Sequence, residues 1–171
     1  MKTKIAGVVT LAAVAPLMVG CSMFGTKMDF GKLESKIADK LNTEYSKLGQ
    51  KVDSVTCDKS DDKPKPGATF TCDAKLGEVT VPVKVTVKDK DMNVDFVTTK
   101  KLYNLATVGT QLAPQVTQQV KQSVTIDCGT GLKAVEPGAS FTCPVKGANG
   151  STGTLTLKVG SMDGTDDWSV K

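Results

Sequence analysis

The chain has 171 residues, with 22 lysines against 18 acidic residues and no arginine or histidine. The missing imidazole and guanidinium exclude histidine base catalysis, histidine metal ligation and bidentate arginine recognition of phosphate. The formal charge of +4 comes without the clustered basic face that a nucleic-acid partner wants.

Met1 to Lys4 is a short basic segment, and Ile5 to Gly20 is apolar or small and uncharged. That stretch is shorter than the roughly 20 residues a spanning helix needs, and the pattern fits a cleaved signal peptide. It ends in Leu17-Met18-Val19-Gly20-Cys21. This resembles the bacterial lipobox, in which an apolar and then a small residue precede an invariant cysteine. Met18 and Val19 stand where leucine and alanine or serine are commoner. The resemblance implies a diacylglycerol on the Cys21 thiol, fatty acylation such as palmitate, and cleavage that leaves Cys21 as the first residue. Acyl chains hold a protein at a membrane because each buried methylene contributes about 0.8 kcal/mol. Losing Lys2 and Lys4 leaves twenty lysines against eighteen acids, a charge of +2. Residues 1–20 are thus expected to be the signal peptide and 21–29 a lipid-anchored tether.

From Phe30, apolar residues recur at steps of three and four: Leu33, Ile37, Leu41, Tyr45, Leu48 and Val52. The spacing predicts an amphipathic helix of about five turns, ending near Gly49. Lysines and acids interleave on its other face, which reads as solvated. A strand begins at Val55 and Cys57, and Asp58 to Lys65 is a charged loop. Pro66-Gly67 suits the centre of a type II turn, since glycine accepts positive φ there. Phe70, Cys72 and Ala74 share one strand face. Val79 to Val87 alternates valine with Thr80, Pro82, Lys84 and Thr86, the pattern of a half-buried strand. Pro82 cannot donate to a ladder, so it is expected on an edge or at a bulge. A polar turn follows, and Val94 and Phe96 carry a closing strand.

The same order then returns. Leu105, Val108, Leu112, Val116 and Val120 make a second helical face, with Gln111, Gln115, Gln118, Gln119 and Gln122 opposite. Pro114 predicts a kink or a helix start. Val55 and Cys57 are matched by Ile126 and Cys128. Pro66-Gly67-Ala68-Thr69-Phe70-Thr71-Cys72 is matched by Pro137-Gly138-Ala139-Ser140-Phe141-Thr142-Cys143. After one inserted residue in the loop from Gly147 to Gly153, Leu155, Leu157 and Val159 match Val83, Val85 and Val87. Asp163-Gly164 reads as a hairpin turn, and Trp168 matches Phe96. The expectation is a tandem α+β fold, residues 30–99 and 100–171, each a helix on about four antiparallel strands.

Four cysteines allow three pairings. The repeat selects Cys57–Cys72 and Cys128–Cys143, one bridge per unit, which an oxidising compartment would preserve. Neither CxxC nor histidine is present for zinc. Asp89 to Asp95 begins like a calcium loop, but Val94 replaces the turn glycine and Lys100 the bidentate glutamate. It reads as a polar hairpin, and Asp163, Asp166 and Asp167 read the same way. No nucleophile elbow, S-x-x-K, H-E-x-x-H or phosphate loop occurs. No catalytic residue, cofactor or metal is expected.

The V-x-C … P-G-A-x-F-T-C pattern with its valine-rich strand resembles the domain of unknown function 4333 family of actinobacterial exported lipoproteins, over about Phe30 to Trp168. In that family proline often follows the first cysteine; here Asp58 and Gly129 stand there. The resemblance supplies no activity. The expected function is a non-catalytic binding or envelope-associated module, anchored by Cys21 outside the cytoplasmic membrane, with a possible protein partner there. The alternatives are an inhibitor of an exported enzyme, by analogy with tandem β-lactamase-inhibitory proteins, and a lipid or small-ligand carrier.

Overall fold

The computed structural model describes residues 7–9 and 27–171. In chain order the elements are β1 (Gly7–Val9), α1 (Phe30–Tyr45), β2 (Ser54–Cys57), β3 (Thr69–Leu76), β4 (Val79–Val87), β5 (Val94–Thr98) and β6 (Lys101–Asn104). There follow α2 (Leu105–Val120), β7 (Val124–Ile126), β8 (Leu132–Val135), β9 (Ser140–Gly147), β10 (Thr152–Lys158) and β11 (Asp166–Val170). The fold mixes two helices with antiparallel sheets and two disulfides. It divides into two compact units, one running to Lys100 and one beginning at Lys101.

In the first unit, α1 starts where the Asp29 carboxylate accepts from Lys32 N at 3.1 Å. Such an N-cap contributes about 1 kcal/mol. Leu33, Ile37, Leu41 and Tyr45 form its buried stripe. The predicted length holds, but the last turn, Ser46–Leu48, is a 3₁₀ helix closed by Gly49 at φ 67°. Leu48 is therefore only half-buried. Val52 is buried beyond the helix, where its N–H donates to Asn42 Oδ1 at 2.7 Å.

The sheet order is β2-β3-β4-β5. Val81, Val83, Val85 and Val87 are buried, as the alternation predicts; each stabilises by about 1.5–3 kcal/mol. The Phe30 and Phe70 rings meet edge to face at 5.8 Å, joining the start of α1 to β3. Pro82 departs from expectation: it sits in an inner strand, opposite Asp73. Its carbonyl accepts from Thr99 N at 2.9 Å, so its nitrogen faces the same flank. The β4–β5 pairing ends there, at Val83–Thr98, so the missing donor costs the ladder little.

In the second unit the main sheet runs β1-β11-β10-β9-β7. Gly7–Val9, within the segment read as a signal peptide, add an outer strand along β11. The core gathers Val108, Leu112 and Val116 of α2 with Ile126, Val145, Leu155, Leu157 and Trp168. Pro114 does not start α2; the helix begins at Leu105, capped by Asn104, and runs through it. Pro114 lies on the exposed side, as does Thr110, whose carbonyl has no N–H to accept from at Pro114. Val120, expected on the apolar face, is exposed at the last helical position.

Two further features concern strands. Leu132–Val135, to which the sequence pattern assigned no element, pairs with Lys101–Asn104 as a separate two-stranded ribbon. Asp163-Gly164 is not the centre of a tight hairpin. Gly164 N donates to Ser161 O at 2.9 Å, so the turn is Ser161–Gly164 within a wider loop spanning 159–165.

Candidate functional site

Cys21, the expected lipid-attachment residue, lies outside the described residues. The other four cysteines are paired as the repeat predicts. Cys57 and Cys72 are bonded across directly opposed positions of β2 and β3. Cys128, just past β7, is bonded to Cys143 of β9. Both closures have a sequence separation of 15, for which the chain-entropy treatment gives about 3 kcal/mol each.

Glu34 of α1 holds the first bridge in place. Its Oε1 accepts from Cys57 N and from Lys59 Nζ, each at 3.0 Å. Burial works to raise the Glu34 pKa; the Cys57 N–H and the Lys59 ammonium outweigh it and leave the carboxyl below its ordinary range.

The Pro-Gly turns before the second cysteine of each pair form as expected. Ala68 N donates to Lys65 O at 2.9 Å around Gly67 at φ 88°. Ala139 N donates to Glu136 O at 3.1 Å around Gly138 at φ 84°. Both glycines are at the type II position that a side chain strains.

The densest polar chemistry lies in the second unit. Lys101 of β6 and Asp166 of β11 are 0% and 1% exposed, with Nζ and Oδ1 2.9 Å apart. Lys101 Nζ also donates to Gly164 O at 2.7 Å. Asp166 Oδ1 accepts a second bond from Gly160 N at 2.9 Å, and Oδ2 accepts from the Tyr103 hydroxyl at 2.7 Å. Burial, then the Asp166 carboxylate, push the Tyr103 phenol far above its ordinary pKa. The two charges are thus desolvated together, with Asp166 hydrogen-bonded on both oxygens and Lys101 held by two acceptors, the condition under which a buried ion pair is tolerated.

Sequence reasoning grouped Asp166 with the weak acidic loop and passed over Lys101. Asp166 does share parity with Trp168, the buried face of β11. That parity was the available signal; nothing in the pattern pairs residues so far apart in sequence.

Asp89 organises the first unit's polar turn. Its Oδ2 accepts from Asn93 Nδ2 at 2.6 Å and its Oδ1 from Asp91 N and Asn93 N. These local bonds occupy both carboxylate oxygens, which accounts for the calcium-like spacing as a turn. Among the described residues no group of three His, Cys, Asp or Glu could hold a metal ion. No described helix is long and apolar enough to cross a membrane. A shallow groove of about 340 Å³ runs beside the first bridge, lined by Asp58, Ser60, Asp61, Thr69, Phe70 and Thr71.

Residues 16–92 match the family described as domain of unknown function (DUF4333). The match supports that domain family for the first unit, from α1 through β4. No curated protein and no solved structure matches the chain.

Proposed function

We propose that the protein is an exported lipoprotein of the actinobacterial type, acylated at Cys21. In this reading two copies of one stapled α+β fold act outside the cytoplasmic membrane as a non-catalytic binding or envelope-associated module. The observation that carries it is the run from the Lys2/Lys4 segment through the apolar stretch to Leu17-Met18-Val19-Gly20-Cys21. Two disulfides in a small protein support an oxidising compartment. Cleavage before Cys21 removes Gly7–Val9 and leaves β11 at the edge of its sheet.

The duplication is supported by register. Phe70 lies opposite Val85 and Val85 opposite Phe96; Phe141 lies opposite Leu157 and Leu157 opposite Trp168. Cys72 faces Val83 as Cys143 faces Leu155. The first copy spans 30–99 and the second 100–171, with the β6–β8 ribbon an elaboration of the second.

The test of anchoring is membrane partition. Globomycin treatment or Cys21→Ala should release the protein from the membrane fraction, and an Ala variant that still sediments there overturns the anchor. Co-purification from detergent-solubilised envelope tests the module: a defined protein partner supports it, whereas stoichiometric extracted lipid favours a carrier.

A further inference from the structure

Lys101 and Asp166 meet under conditions that favour more than an ion pair. Both side chains are out of water, and Nζ is 2.9 Å from Oδ1. Each oxygen of the carboxylate has its own donor: Gly160 N on Oδ1 and the Tyr103 hydroxyl on Oδ2. The lysine nitrogen is aimed by Gly164 O at 2.7 Å. Core residues Val159, Leu157 and Trp168 lie in the same apolar cluster as Tyr103.

We propose that Lys101 and Asp166 condense to an intramolecular isopeptide bond. Transfer of one Nζ proton to Oδ1, the oxygen it faces, gives a neutral amine and a neutral acid. The Nζ lone pair attacks Asp166 Cγ. The negative charge that develops on Oδ2 faces the Tyr103 hydroxyl, a donor already in place. The Cγ–Oδ1 bond then breaks, and Oδ1, already carrying the first proton, leaves as water with the Gly160 N–H donating to it. The proton lost from Nζ completes that water. One ammonium and one carboxylate become one amide and one water, with no change of oxidation state. Fixed proximity supplies the rate, and exclusion of solvent protects the product from hydrolysis. The bond joins β6 to β11 across 65 residues of chain. It adds a covalent staple to a unit whose only other one is Cys128–Cys143 among the described residues.

Peptide mapping of the purified, reduced full chain decides the matter. Trypsin cannot cut after an acylated Lys101. The expected product is one branched peptide of residues 101–121 joined to 159–171, lighter than their sum by one water molecule. Lys101→Arg should abolish the branch and yield the linear peptides. Recovery of 102–121 and 159–171 only as separate linear peptides from the wild type overturns the proposal. So does a water loss that persists in Lys101→Arg, as a succinimide at Asp163-Gly164 would give.

Discussion

Gly109 of α2 lies directly against the carbonyl oxygen of Ile126, the last residue of β7. A Cβ at this position would overlap that oxygen, and the obstacle is backbone rather than a side chain that could swing aside. An exposed helical Gly→Ala change ordinarily stabilises by about 1 kcal/mol. Here the sign should reverse. Gly109→Ala is expected to destabilise by about 1–3 kcal/mol, the cost typical of overpacking. Ala106→Gly, at an exposed position of the same helix, should cost about 1 kcal/mol through propensity alone. Urea unfolding followed through Trp168 fluorescence measures both, and a stabilised Gly109→Ala would refute the close approach.

The buried Lys101–Asp166 pair makes a second prediction. Lys101→Met strands a carboxylate that is 1% exposed, which should cost about 3–5 kcal/mol in addition to the loss of the covalent link. Adding Asp166→Leu removes the stranded charge and should recover part of that loss. Recovery stays incomplete because the Tyr103 hydroxyl, Gly160 N and Gly164 O then lose partners. Thermal melts of the single and double variants test the order. A double variant less stable than Lys101→Met would contradict it.

The contrast between these two sites explains what the sequence made legible. Val81 to Val87 and Leu33 to Tyr45 repeat at periods that only one element type satisfies, so strand, helix and buried face follow directly. The Pro66-Gly67 and Pro137-Gly138 turns and both cysteine pairs were legible because each motif occurs twice. The β6–β8 ribbon was not: Leu132–Val135 shows no match in the first unit and only four paired positions. Nor was the Lys101–Asp166 contact, since a charge compensated from a distant strand looks locally like any solvated charge. Pro82 was misplaced because the rule about proline concerns a single missing donor. Register, not strand position, decides whether that donor is missed.

Asp89 provides a titration test. The Asn93 side chain first, and then the Asn93 and Asp91 N–H groups, outweigh an opposing desolvation and hold its carboxyl below the ordinary value of 3.8. A lowered folded-state pKa adds stability that is whole above the unfolded value and is lost as the pH falls through the folded one. NMR titration should therefore place the Asp89 midpoint below 3.8, and Asn93→Ala should move it upward. A midpoint unaffected by Asn93→Ala would show that the turn is not held by this carboxylate.

The chain has two tyrosines, and both are buried: Tyr45 is 1% exposed and Tyr103 4%. Burial raises the Tyr45 phenol strongly, and burial together with the Asp166 carboxylate raises Tyr103. The unfolded phenols keep their ordinary value of 10.0. The folded state therefore holds both protons where the unfolded state begins to lose them. This stability is whole below about pH 10 and is lost progressively as the pH rises above it. Phenolate absorbance should accordingly stay absent from the native protein past that pH, then appear together with loss of the tertiary circular-dichroism signal. Tyr103→Phe should lessen the alkaline destabilisation without abolishing it, because Tyr45 still contributes. Phenolate absorbance rising near pH 10 while the tertiary signal persists would mean that at least one ring is open to solvent.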